Sequence, residues 1–340
     1  MEYDPIKLLN SPHKIASIFE VRDGTRDFDP TYPISIELHL TDLCNLKCHW
    51  CTDLAMRKRN GASQNLARID ELFSEFSRHN VGITIEGGGE PTVYPHFADV
   101  VALAQRYKLD LGLITNGVKP LGELARAFKW IRISIDASHP EEYFLEKGVQ
   151  RFEEVLRNIA TLTQLPDRPY LLGIGYVMTN RNTGRFLGFI TRMDELGVDS
   201  FYARPVEEAP QLVPDLKMLY EIKTRWETEE AQKRRIKVLL NLEDRIQRDN
   251  EGLPCIGHSL SCVIQANGDV VMCEKRRHDP VIFGNINNQR FSEIWGSQYR
   301  KDVSRKLLDP NSQKGCEVCR ITKFNRFFSR LGELKTRRFI

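Results

Sequence analysis

Leu40-Thr-Asp-Leu-Cys44-Asn-Leu-Lys-Cys48-His-Trp-Cys51 follows a run in which Ile34, Ile36, Leu38 and Leu40 alternate with Ser35, Glu37 and His39. A period of two describes a strand with one apolar and one polar face, so the three cysteines occupy the loop at its end. Three thiolates spaced this closely can turn inward together and bind soft metal, as an iron–sulfur cluster or zinc. Three ligands are one short of a closed four-ligand site. The loop holds no fourth cysteine, and His49 lies between two of the ligands. On a cube-shaped 4Fe–4S cluster the same three thiolates leave one iron open to a small molecule. A zinc knuckle is the plainer alternative, and it fits less well because structural zinc closes with four ligands.

Outward from this loop the period alternates between helix and strand. Leu66, Ile69, Leu72, Phe73 and Phe76 recur at helical spacing, and strand patterns follow over 83–86, 109–115, 131–136, 171–178 and 200–203. Helical stretches separate them near 97–106, 121–128, 138–162 and up to about 196. Ser138-His-Pro-Glu141 reads as a capping box opening the third of these. Six βα-type units argue for a parallel sheet; pattern alone leaves open sheet and barrel undivided. In a barrel the polar strand faces, Glu37 and His39, Thr84 and Glu86, and Arg132, Ser134 and Asp136, turn to the lumen. Buried charges are costly unless paired, so a ligand-filled cavity explains them better than a dry core. A register slip would reverse every face.

The Cys44-x3-Cys48-x2-Cys51 spacing, with Trp50 before the last cysteine and Gly87-Gly-Gly-Glu90-Pro91 about forty residues on, resembles the radical S-adenosylmethionine (SAM) superfamily over residues 33–205. The resemblance implies an α/β fold, a partial (β/α)6 barrel. It implies a 4Fe–4S cluster on Cys44, Cys48 and Cys51, with SAM's amino and carboxylate groups on the open iron. By the same likeness Trp50 stands beside the cofactor, Gly88 and Gly89 offer backbone to the methionyl amino group, and Glu90 supports that turn. Ser134 and Asp136 fall near the ribose with Asn116 beside it, and Arg204 meets the methionyl carboxylate. The implied chemistry is one-electron cleavage of SAM to methionine and a 5′-deoxyadenosyl radical that abstracts a substrate hydrogen, fed by a donor such as flavodoxin or ferredoxin.

A second set, Cys255-x12-Gly268-x4-Cys273 with Cys316-x2-Cys319, resembles the auxiliary-cluster domain called Twitch, the shortened relative of SPASM. Cys255, Cys273, Cys316 and Cys319 would close one auxiliary 4Fe–4S cluster; zinc on the same four is the alternative. Within it, 261–264 and 270–272 flank Asn267-Gly268, a hairpin signal, and Phe291, Ile294, Trp295, Tyr299 and Val303 suggest a helix. Cys262 is left over. A free cysteine is usually a small buried hydrophobe; the other readings are a ligand in place of Cys255, or a thiol that returns hydrogen to a substrate radical, as in some radical SAM epimerases.

The 340 residues suit about two domains: a strap (1–32), the barrel (33–205), a helical linker (206–252) with Leu216, Leu219, Ile222 and Trp226 on one face, a small auxiliary domain of hairpin and helix (253–320), and a basic tail (321–340). A net charge of +3, from 49 basic and 46 acidic side chains, gives no bulk pull towards nucleic acid or membrane. Neither a signal peptide nor an apolar span is evident, so a cytoplasmic protein using its eight cysteines for metal is expected. Lys323, Arg326, Arg330, Lys335, Arg337 and Arg338 among Phe324, Phe327, Phe328 and Leu331 read as an amphipathic closing helix, with phosphate or RNA binding as the alternative. The polar lumen points to a hydroxyl-rich small-molecule substrate such as a sugar, aminoglycoside or nucleotide sugar. The auxiliary cluster would accept the second electron of an oxidation, and epimerisation through Cys262 is the variant outcome. A ribosomal-peptide maturase is the runner-up, weighed down because 1–32 is too short for a leader-binding domain. A zinc-stabilised nucleic-acid module is the reading from another class.

Overall fold

The computed structural model describes residues 5–55, 57, 61–242, 250, 252–276, 280–312, 316 and 318–333. Its strands are β1 (Ser35–Leu38), β2 (Gly82–Ile85), β3 (Leu111–Thr115), β4 (Phe128–Ser134), β5 (Leu171–Met178), β6 (Ser200–Pro205), β7 (Lys237–Leu240), β8 (Ser261–Ile264), β9 (Asp269–Val271) and β10 (Ile282–Asn285). They form one sheet in the order β10-β9-β8-β1-β2-β3-β4-β5-β6-β7. From β8 through β7 every pairing is parallel, and β9 and β10 add antiparallel. The row carries the parallel sheet expected from the βα alternation, in the partial-barrel form that the family resemblance implied, extended at both ends.

Alternation decides the faces. Ile36 and Leu38 of β1 are buried while Ser35 and Glu37 are only partly so. On the covering layer, helix Leu66–Phe76 buries Ile69, Leu72, Phe73 and Phe76, and the Asn65 side chain caps it by accepting the Ala67 N–H. A parallel sheet needs both faces covered; here helices cover one, and the other encloses the cavity described below.

Several elements differ from their sequence reading. The stretch 138–162 is two helices, Pro140–Lys147 and Phe152–Thr163. Gly148 ends the first with φ +71° and its N–H on the Phe144 carbonyl, the left-handed stop that glycine permits. Ser138 bonds Glu142, through both its N–H and its hydroxyl at 2.8 Å, in place of Glu141. The stretch 121–128 makes only a 3₁₀ turn, Gly122–Ala127. The linker carries helix Leu216–Arg225 and also strand β7, which pairs with β6. The helix read from Phe291 to Val303 breaks at Gly296 into Phe291–Trp295 and Gln298–Leu307.

The auxiliary segment is joined to the barrel by backbone. β8 pairs with β1 from Ser35↔Ser261 to Leu38↔Ile264. The strap helix Pro12–Arg22, with the 3₁₀ turn Pro5–Asn10 before it, and the tail helix Thr322–Glu333 pack together, placing Leu8, Ile18 and Phe328 against Ile256 and Leu260. The tail thus closes the structure through its aromatic face. Lys335, Arg337 and Arg338, and linker residues 243–249, lie outside the described residues. No helix among the described residues is long and apolar enough to cross a membrane.

Candidate active site and cluster cavities

Cys44, Cys48 and Cys51 are half-buried free thiols on the loop after β1. Burial pushes the Cys48 thiol up to about 12; Lys147 opposes the shift, and Cys51 and Cys44 add to it. Burial also raises Cys44. A thiol in such surroundings becomes a thiolate when a cation compensates it, so metal binding and deprotonation go together. The Leu46 N–H donates to Cys44 Sγ at 3.4 Å, and Arg57 Nη1 donates to Cys51 Sγ at 3.8 Å. The donor set fits an iron–sulfur cluster, whose potential such N–H···S contacts tune.

The Gly87–Pro91 turn is clamped onto this loop. Gly89 N–H donates to the Thr41 carbonyl at 2.7 Å and Glu90 N–H to the Leu43 carbonyl at 2.8 Å. A Cβ on Gly89 would lie 1.9 Å from the Leu43 carbonyl oxygen. The close approach that requires glycine here is therefore to the cysteine loop's own backbone. Glu90 is buried and accepts from the Thr92 and Thr115 hydroxyls at 2.7 and 2.6 Å and from the Asn116 N–H at 2.7 Å. It ties the turn to the end of β3. Asn116 in turn donates its amide to Asn45 Oδ1 at 2.7 Å, and its own Oδ1 accepts the Val118 N–H.

Helix Pro140–Lys147 braces the loop from the other side, through two residues that the sequence reading missed. The buried Glu146 carboxylate accepts Trp50 Nε1 at 2.8 Å and the Thr179 hydroxyl at 2.8 Å. The Lys147 carbonyl accepts the Lys47 N–H at 2.9 Å, and its ammonium lies 5.1 Å from the Trp50 ring centre. That ammonium pairs with Asp136, whose other oxygen accepts the Val177 N–H. Asp136, placed near a ribose by the family likeness, is fully buried and gives both oxygens to protein partners. Its observed work is to hold Lys147 and β5.

All seven polar strand residues read as lumen-facing, Glu37, His39, Thr84, Glu86, Arg132, Ser134 and Asp136, line one cavity of about 260 Å³ together with Cys48, Trp50, Cys51 and Arg204. Asp53, Trp130, Tyr176, Tyr202, Glu274 and Arg320 also line it. Arg204 bonds Glu207 at 3.1 Å. Arg320 pairs with Glu274 and lies 3.8 Å from Glu207. Carboxylate oxygens of Glu37, Glu86 and Glu274 lie within 4.8 Å of one another. Glu274 and Arg320 each directly follow a cluster cysteine, a placement that could have marked them in the sequence; nothing marked Glu146 or Lys147.

Cys255, Cys273, Cys316 and Cys319 share a second cavity of about 160 Å³. Burial raises the Cys255 thiol, and Cys319, Cys273 and Cys316 are its neighbours in adding to the shift. Four thiols around one apolar space fit a closed cluster. The two cavities meet at Glu37, Thr84, Glu274 and Arg320, which line both.

Cys262 is a correction. On β8 it is the register partner of Ile36, so it shares that residue's face and opposes Glu37. It is 1 % exposed and packed in the main core. Burial raises its thiol further, partly offset by Arg300. Cys262 is absent from the lumen lining, a placement that does not match hydrogen donation there, although it borders the cavity of the four later cysteines.

Profiles of two families match the chain: the radical SAM superfamily over residues 38–186, and an iron–sulfur cluster-binding domain, SPASM, over 255–320. Mycofactocin maturase MftC of Mycobacterium tuberculosis is 24% identical over 310 residues, 84% of this chain and 75% of that protein. The AdoMet-dependent heme synthase of Methanosarcina barkeri is 28% identical over 336 residues, 86% of this chain and 89% of that one. Among solved structures, Streptococcus suis SuiB bound to precursor peptide SuiA is similar in fold, with a TM-score of 0.65, 16% identity and coverage of 93% and 76% of the two chains. The two profiles fall on the two cysteine cavities, and the chain belongs to the radical SAM superfamily, with a C-terminal SPASM-type iron–sulfur domain.

Proposed function

We propose that this radical SAM enzyme is a maturase that oxidises a peptide substrate by removing hydrogen from one of its C–H bonds. When bound, the catalytic cluster and SAM supply the 5′-deoxyadenosyl radical. The chain's own residues hold the loop rigid through Glu90, Glu146 and Lys147. They offer backbone at Gly88, and Ser134 and Arg204 to SAM, and keep the substrate in a cavity that opens toward the second cysteine set. The observation that carries the reading is this lumen's charge. Glu37, Glu86 and Glu274 stand against Arg132, Arg204 and Arg320, which suits a substrate with ionic groups of both signs better than a neutral sugar. Similarity to mycofactocin maturase MftC along 84% of the chain supports a maturase. A tetrapyrrole substrate is the second reading, favoured by the 28% identity to a heme synthase. All eight cysteines are free, which suits a reducing cytoplasm and an electron donor such as flavodoxin or ferredoxin.

The test is anaerobic reconstitution. Protein carrying about two 4Fe–4S clusters should form 5′-deoxyadenosine from SAM and dithionite. Replacing Cys44, Cys48 and Cys51 by Ala should abolish this and leave the auxiliary cluster. A peptide substrate should lose the mass of two hydrogens, one as the atom abstracted by the radical and one as a proton whose electron the auxiliary cluster would accept, and a porphyrin should not. Stoichiometric zinc without iron would refute the reading.

A further inference from the structure

Three arginines reach the catalytic cavity, and two are engaged: Arg204 by Glu207, and Arg320 by Glu274 and Glu207. Arg132 differs. Its guanidinium lies over the Tyr202 ring, 5.1 Å from the ring centre, and it makes no ion pair or hydrogen bond among the described residues. The residue sits mid-strand on β4, between Ile114 of β3 and Gly173 of β5, on the face of Ser134 and one step deeper. Gly175 on β5 keeps the space beside it open: a Cβ there would lie 3.3 Å from Ser134 Oγ and 3.5 Å from Arg132 Cγ. Half-burying a guanidinium without a direct ion-pair partner is costly. A guanidinium carries a planar fork of N–H donors, and that fork matches a carboxylate.

We infer that Arg132 is the recognition residue for a substrate carboxylate. A carboxylate suits the site better than a dianionic phosphate, because Glu37, Glu86 and Glu274 share the cavity and repel added negative charge. Those three glutamates then face the substrate's cationic or hydrogen-donating end. The inference rests on reading this cavity as the catalytic chamber.

The experiment uses reconstituted holoenzyme and isothermal titration calorimetry with three probes: acetyl-Ala-Phe as the free acid, the same dipeptide as its terminal amide, and acetyl-Glu-Phe amide. One or both carboxylate probes should bind at least about tenfold tighter than the uncharged amide, the worth of one charge-assisted contact. Tighter binding of the first names a chain terminus, and of the third an acidic side chain. Arg132→Gln should erase the preference and Arg132→Lys keep part of it, with iron content as the fold control in both. Binding of both carboxylate probes no tighter than the uncharged amide overturns the proposal, as does a preference that survives Arg132→Gln. Displacement of the acid by SAM overturns it too, since Arg132 would then serve the methionyl carboxylate. The probes are bound and not turned over, so this outcome is separate from whether the enzyme matures peptides.

Discussion

Gly89 shows how one missing methyl group can hold a catalytic loop. Its sequence setting suggested close approach to a ligand. The fold also places the Leu43 carbonyl 1.9 Å from where a Cβ would be, one residue from Cys44. Even alanine must push that carbonyl away, while Gly88 meets its nearest atoms only at 3.1 Å. Gly89→Ala should therefore lose the catalytic cluster and SAM cleavage together, with iron falling by about half because the auxiliary site persists. Iron assay and electron paramagnetic resonance of the reduced protein check this; full loading with normal cleavage would refute it. The same scale explains Asp136, whose two oxygens are consumed by Lys147 and Val177. A carboxylate at a strand end looks available until its neighbours are known.

At the scale of elements, the strap is tied down by a buried charge. Lys14 of helix Pro12–Arg22 is fully buried and pairs with Asp29 at 2.7 Å, and it also donates to the Ser259 carbonyl at 2.9 Å. Burial pulls its pKa down to about 8 in spite of Asp29. Asp29 also accepts from Ser17 and Thr31. Removing one member of such a pair strands the other, at a cost of about 3–5 kcal/mol. Lys14→Met should lower stability by roughly that amount, and Lys14→Met with Asp29→Asn by clearly less. Thermal melts of the reconstituted proteins decide it: equal losses in the single and double variants would mean that the ion pair itself is not what matters. Because Ser259 lies close to Cys255, the single variant should also load the auxiliary cluster poorly.

Across the whole molecule, the auxiliary segment and the barrel are one sheet. A chain ending at residue 252 would strip β8 from β1 and the tail helix from the strap, uncovering Leu8, Ile18 and the β1 edge. An unpaired parallel edge invites aggregation. The shortened chain should be insoluble or molten, without a cooperative melt by circular dichroism. A soluble, cooperatively folded fragment that loads a full catalytic cluster would show the two parts to be independent.

What the sequence determined by itself is local. The three-cysteine loop, the Gly87–Pro91 turn and the four later cysteines are legible because their spacing already limits what they can bind. The seven lumen residues are legible because strand alternation needs no partner, and all seven line the cavity. Strand β7 was hidden in a charged linker whose four strand residues show no distinctive alternation. Only the tertiary structure decided the rest. Glu146 reaches Trp50 across 96 positions of chain, and the facing of Cys262 depends on which residue of β1 it pairs with. Which buried charges are satisfied, and so which arginine is left for a ligand, follows from contacts between distant strands. Such contacts form when loop-closure entropy is overcome by packing and pairing of the whole sheet, and no local pattern encodes them.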